Sequence, residues 1–187
     1  MNAMRPTIGI AVLLSFLSVP LLSDGVAAEK PRGNVMRLAS TAFNEGGPIP
    51  ARFTCDGSDA SPALKWSGLP SEAKSLVLIA DDPDAPVGTW VHWVLYDLPI
   101  SASELPEDAP KSQYLPGGAK QGLNDFKRLG YGGPCPPAGK PHRYFFKLYA
   151  LDTLLDLKPG ATKKEVERAM EEHILAQGKL MGTYKRQ

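Results

Sequence analysis

Three segments of the 187-residue chain bring reactive side chains to places where strands are expected to end. Asp81-Asp82-Pro83-Asp84-Ala85-Pro86 sets three carboxylates and two prolines directly behind an apolar run. Trp90-Val91-His92-Trp93 frames an imidazole with aromatic rings, and Gly132-Gly133-Pro134-Cys135-Pro136-Pro137 leads to a second imidazole in His142-Arg143-Tyr144. The prolines fix the acidic segment, which cannot continue a sheet interior, and its carboxylates must face solvent or be paired. Strand alternation puts Trp90, His92, Val94 and Tyr96 on one face, and His142, Tyr144, Phe146 and Leu148 on one face of another strand. Taken singly, Asp-Pro-Asp is more often a turn than a site, and a lone histidine more often a satisfied core residue. Together they converge only if they share a site. His92, His142 and Asp82 also match the two-His-one-carboxylate composition of a metal centre, so a metal-dependent hydrolase is the less favoured alternative.

The elements that must position these groups are mostly strands. Residues 75–80 (SLVLIA) read as a central strand buried on both faces, 90–98 (WVHWVLYDL) as a second and 142–151 (HRYFFKLYAL) as a third. Residues 35–43 and 50–54 read as strands around the turn Glu45-Gly46-Gly47-Pro48, and 64–66 as a short strand. A 43-residue stretch from Pro99 to Pro141, rich in Pro and Gly, separates the last two strong strands and reads as a functional loop region. One helix is expected from the capping box Thr162-Lys163-Lys164-Glu165, with Val166, Ala169, Met170, His173, Ile174 and Gln177 at helical spacing and Gly178 as the stop. It would cover the sheet, with His173 in a structural role on its apolar face. Lys163, Lys164, Lys179, Lys185 and Arg186 read as a solvated surface.

Composition agrees with a single mainly β domain. Hydrophobic residues make up 43% and charged residues 22%, with 18 glycines and 18 prolines, which excludes a coiled coil, a collagen-like rod and a disordered tail. A net charge of +1 gives no support for a nucleic-acid partner. Residues 6–22 are uncharged and apolar, follow Arg5, and precede Ser23-Asp24-Gly25-Val26-Ala27-Ala28. That is the pattern of a cleavable export signal, residues 1–28, with cleavage near Ala28. Pro20 interrupts a run already near the lower limit for a bilayer span, so no stable span is expected once it is removed. Residues 29–187 then form the domain, secreted or periplasmic. Cys55 and Cys135 are the only cysteines; in an exported chain the simplest state is one disulfide, and two buried thiols are the alternative.

DPDAP, then W-x-H-W-V, then GGPCPPxGxxHRYxFxLYALD resemble the phosphatidylethanolamine-binding protein (PEBP) family, in its bacterial Raf-kinase-inhibitor-like branch. The resemblance runs from Phe53–Trp66 to the C-terminal GTYKR. It implies a β-sandwich-like fold of two antiparallel sheets with a small anion-binding pocket at one end. The residues it implies for that pocket are Asp82, Asp84, His92, Pro137, His142 and Tyr144, with a cis peptide at Pro86 and a Cys55–Cys135 bridge stapling the rim. Only Val87-Gly88-Thr89 separate DPDAP from Trp90, and the eukaryotic C-terminal helix has no counterpart, so the site is expected to be more open than in eukaryotic members.

An anion suits these residues. A neutral imidazole offers one N–H donor and a protonated one two donors and a charge, while Tyr144 donates a hydroxyl. Asp82 fits if it accepts from an imidazole, fixing the tautomer and favouring the charged ring, so that affinity rises as pH falls through the histidine range. The expected function is a non-catalytic pocket protein for small phosphorylated anions or phospholipid headgroups, in a regulatory role, with no cofactor and no metal. The family also implies a second function class, an inhibitor of a protease or kinase partner. No G-x-S-x-G elbow or P-loop occurs.

Overall fold

The computed structural model describes Met1 and residues 36–186. Apart from Met1, the expected export signal lies outside the described residues. Among them, no helix is long and apolar enough to cross a membrane.

Among the described residues, eight strands and one α-helix follow in the order β1 Arg37–Ser40, β2 Leu64–Ser67, β3 Ser75–Asp82, β4 Trp90–Pro99, β5 Glu104–Leu105, β6 Lys120–Gln121, β7 His142–Leu151, α1 Lys163–Met170 and β8 Ile174–Tyr184. The large sheet has the order β6-β4-β3-β7-β8 and the small one β1-β2-β5. Every pairing within them is antiparallel. β3 lies at the middle of the large sheet and is buried along its whole length. Its alternate residues serve two cores. Leu76, Leu78 and Ala80 pack with Leu38, Leu64, Trp66, Phe146 and Leu148 between the sheets. Val77 and Ile79 pack with Val94, Tyr96, Val166 and Met170 beneath α1. A strand covered on both faces has no polar side to show, which is why its sequence runs apolar without alternation.

Several expectations need correction. The helix stops at Met170, eight residues after Thr162, and its capping box is formed as expected. Beyond it the chain becomes β8, paired with β7 from Leu151↔Ile174 to His142↔Tyr184. The period-2 signal lies further along: Gly178, Leu180, Gly182 and Tyr184 are buried while Lys179 is exposed. The two glycines are required by space, since a Cβ on Gly182 would lie 2.6 Å from Ile49 and one on Gly178 3.0 Å from the Met36 carbonyl. His173 therefore follows the helix instead of riding on its apolar face, half-exposed and bonded to Asp152 at 2.8 Å. Residues 51–53 form a 3-10 turn, not a strand, with Phe53 buried. No cis peptide occurs among the described residues, so Pro86 is trans. The expected strand over 35–43 is confined to Arg37–Ser40.

The acidic segment also departs from expectation, because β3 continues through Asp81 and Asp82 and buries both. Both are paired. Asp81 faces the helix side, where Lys163 Nζ lies 2.7 Å and Lys147 Nζ 2.9 Å away. Lys163 is thus a part-buried tether between α1 and β3, not a solvated surface charge.

Candidate functional site

A bulge decides where His92 points. Ala80 pairs with Trp93 and Asp81 with Val91, leaving His92 as the extra residue of β4. His92 therefore does not share a face with Val94 and Tyr96 as simple alternation predicts. Val94 and Tyr96 pack under α1, whereas the His92 ring meets Tyr144 edge-on at 5.2 Å and Phe126 at 5.5 Å. Bulges re-aim a side chain in this way at sheet ends. The His92 Nδ1 lies 2.6 Å from the Gly132 carbonyl, and the Gly132 N–H returns a bond to the His92 carbonyl at 2.9 Å. A carbonyl only accepts, so Nδ1 carries the hydrogen and Nε2 is left as a lone-pair acceptor.

His142 opens β7, and its Nδ1 lies 2.8 Å from Asp82 Oδ2. The other Asp82 oxygen accepts from the Asp84 N–H at 2.8 Å, which starts the turn into Pro83–Pro86. Asp84 closes the turn onto β7: Oδ2 accepts from the Arg143 backbone N–H at 2.9 Å and from Nε at 2.8 Å, and Oδ1 from Nη2 at 2.7 Å. The Arg143 side-chain hydrogen bonds hold the Asp84 carboxyl down at about 2, against the opposing effect of burial.

Behind these groups lies a cavity of about 220 Å³, below the ~300–1,000 Å³ of sites for drug-sized ligands. Its polar side chains are Asp82, His92 and His142; its walls are Ala85, Pro86, Val87, Trp90 and Phe126 on one side and Cys135, Pro136 and Pro137 on the other. Of the six residues expected to bind, Asp82, His92, Pro137 and His142 meet at the cavity. Asp84 does not line it and serves the turn. Tyr144 does not line it either: its hydroxyl is buried without a partner beside His92. Burial, and after it the charge of Asp82, push that hydroxyl far above its usual range, so it stays neutral. Residue spacing did not single out Phe126 within the long loop, nor the Gly132 carbonyl. Asp82 is turned to His142 Nδ1, and among the described residues no three His, Cys, Asp or Glu side chains are grouped to hold a metal ion.

The Gly-Pro-rich loop is docked from outside. Cys55 and Cys135 are bridged, with Cα atoms 5.4 Å apart, the Cys55 N–H donates to the Pro134 carbonyl at 3.1 Å, and the Tyr131 hydroxyl donates to the Phe53 carbonyl at 2.7 Å. Gly133 sits where these segments touch: a Cβ there would be 2.4 Å from the Phe53 carbonyl oxygen and 2.8 Å from Thr54 Cα. Backbone cannot step aside as a flexible side chain can. Gly133→Ala is therefore expected to cost about 1–3 kcal/mol, read as a lower urea midpoint, and to loosen the wall that carries Pro136 and Pro137.

Two groups shape the acid limb of stability, with the same sign. Burial lowers the His92 imidazole below its ordinary 6.5, so the unfolded chain takes up that proton first. Its contribution is complete above about 6.5 and is lost as pH falls below it. The depressed Asp84 contributes above its ordinary 3.8 and is lost as pH falls toward 2. The expected result is a urea midpoint that drops between about pH 7.5 and 5.5, with a smaller drop in His92→Gln; equal drops would refute the assignment.

The fold is thus two antiparallel sheets with a small cavity at one sheet end, bordered by two imidazoles, a buried carboxylate and a proline-rich wall. The family model described as Phosphatidylethanolamine-binding protein matches residues 39–185, and the chain belongs to that family. A relative from Methanothermobacter thermautotrophicus, named only as a UPF0098 protein, is 56% identical over 151 residues, covering 81% of this chain and 99% of the relative. Another UPF0098 protein, from Aquifex aeolicus, is 53% identical over 156 residues, covering 82% and 91%. Among solved structures, the PEBP homologue CT736 from Chlamydia trachomatis superposes with a TM-score of 0.76 at 45% identity, covering 82% of this chain and 99% of its own. YbcL from E. coli, described as a member of the mammalian PEBP family, gives 0.77 at 33% identity, covering 81% and 99%.

Proposed function

We propose that this chain is an exported, non-catalytic binding protein whose cavity takes a small phosphorylated anion, free or as the headgroup of a phospholipid. The observation that carries this reading is the pair of His92 and His142 rings, each anchored through Nδ1 and each bordering the same small, largely apolar cavity. Anchored rings keep their orientation before a ligand arrives, so little ordering entropy is lost on binding. Export is supported by the residue 1–28 pattern and by the disulfide, which persists in oxidising compartments. The mouth, with Val87 exposed and Trp90 half-buried, suits a ligand with a short apolar neighbour to its phosphate.

Calorimetric titration tests this with inorganic phosphate, phosphoethanolamine and vesicles of phosphatidylethanolamine as separate arms. Binding of phosphoethanolamine with no turnover in a phosphatase assay is the expected result. Binding of inorganic phosphate alone would point to the free anion, and binding of vesicles alone to the lipid. Release of phosphate from phosphoethanolamine would overturn the non-catalytic assignment, and heat from none of the three would overturn the anion site.

A further inference from the structure

The cavity presents an apparent contradiction for an anion. Both Nδ1 atoms donate to protein acceptors, the Gly132 carbonyl and Asp82 Oδ2. Neutral rings in those tautomers therefore turn lone pairs, not N–H donors, toward a ligand. Among the described residues, the buried side-chain polar atoms without a partner include the Tyr144 hydroxyl but neither Nε2. Among the described residues neither Nε2 has a hydrogen-bond partner, and both rings border the cavity. Two acceptors over a carboxylate repel a phosphate dianion.

We propose that the pocket binds a phosphate monoester together with one proton, held at His142 Nε2 against a phosphate oxygen. This rests on the anion reading above and adds the protonation state in which the complex forms. His142 is the ring that receives the proton because the new charge then lies across a 2.8 Å hydrogen bond from a carboxylate. The His92 Nδ1 faces an uncharged carbonyl, and burial disfavours charge on its ring. The charged and titratable neighbours leave that assignment intact. Asp82 lies 2.8 Å from His142 and its charge also acts on His92, as does that of Asp81 beside it on β3, and Asp84 is paired to Arg143 in a fork. Tyr144 stays neutral. On β8 the partner of His142 is Tyr184, whose hydroxyl donates to Asp56 at 2.7 Å. The wall at Cys135, Pro136 and Pro137 carries no charge.

Asp82→Asn separates this from a merely structural role. The Asp84 N–H requires an acceptor at the Oδ1 position, so the asparagine oxygen stays there and its NH₂ takes the place of Oδ2. That NH₂ donates to His142 Nδ1, forces the hydrogen to Nε2, and gives the neutral ring a donor facing the ligand. The test is titration of phosphoethanolamine into the full chain at about pH 8, where the free ester is mostly dianion because its second pKa is about 6, in two buffers of different ionisation heat. The wild type is expected to take up close to one proton per site, with affinity falling as pH rises. Asp82→Asn is expected to take up close to none and to bind with a nearly flat pH profile. Uptake near zero in the wild type, or equal uptake in both proteins, overturns the proposal while leaving the anion site standing. Absence of phosphoethanolamine binding to the wild type at any pH from about 6 to 8 overturns this proposal, and it overturns the anion site as well only if inorganic phosphate and the vesicles give no heat either.

Discussion

Removing the Cys55–Cys135 bridge, by reductant or by the double substitution Cys55→Ser and Cys135→Ser, is expected to cost about 4 kcal/mol of unfolding free energy. The two residues are 80 apart in sequence, and a loop of that length loses about 4–5 kcal/mol of closure entropy when cross-linked in the unfolded chain. The folded chain keeps the two segments together without the bridge. Cys55 donates to Pro134, Tyr131 to Phe53, and Gly133 to Asp59 Oδ1 at 2.5 Å. The loss therefore falls on the unfolded state, and the denaturant slope should increase as that state expands. For a chain of this size, a melting temperature lower by about 8–16 °C is the corresponding signal. A change under about 1 kcal/mol would mean that the bridge is dispensable and the docking contacts sufficient. Ligand affinity should fall much less than stability, because the proline wall remains seated by those contacts.

His142→Ala is expected to weaken phosphoethanolamine binding by about 10- to 100-fold, the worth of one hydrogen bond to a charged group. The substitution also strips Asp82 Oδ2 of its donor in a place where the carboxylate side chain is only 5% exposed. An unpaired buried acceptor costs about 1–3 kcal/mol, so stability should fall as well. The two effects are measured apart, by calorimetry on the folded protein and by urea denaturation. Arg143→Ala provides the contrast. It frees the Asp84 fork and loosens the Pro83–Pro86 turn but leaves both imidazoles in place, so its effect on affinity should be smaller. Affinity unchanged in His142→Ala would remove that ring from the site.

The residues themselves carried much of this. The short, almost wholly apolar run over 75–80 reads as a strand covered on both faces, and β3 lies at the middle of the large sheet. The Thr162–Glu165 capping box marks a helix start from local hydrogen bonding alone, and α1 begins there. Local chemistry did not tell where that helix ends. His173, Ile174 and Gln177 continue a helical count, and only ten residues of pairing with β7 override it.

The site divides along the same line. Which chemistry is present was legible from the residues alone: two imidazoles, a proline-bound acidic turn and a cysteine pair, since side-chain identity needs no partner to be read. How those groups are used was settled by the folded chain. The bulge at His92 swings that ring away from Val94 and Tyr96. Asp82 is given to His142 and Asp84 to Arg143. Phe126 arrives at the cavity from a loop with no periodic signal. Each of these outcomes depends on contacts between residues far apart along the chain, and alternation or spacing within one segment carries no information about them.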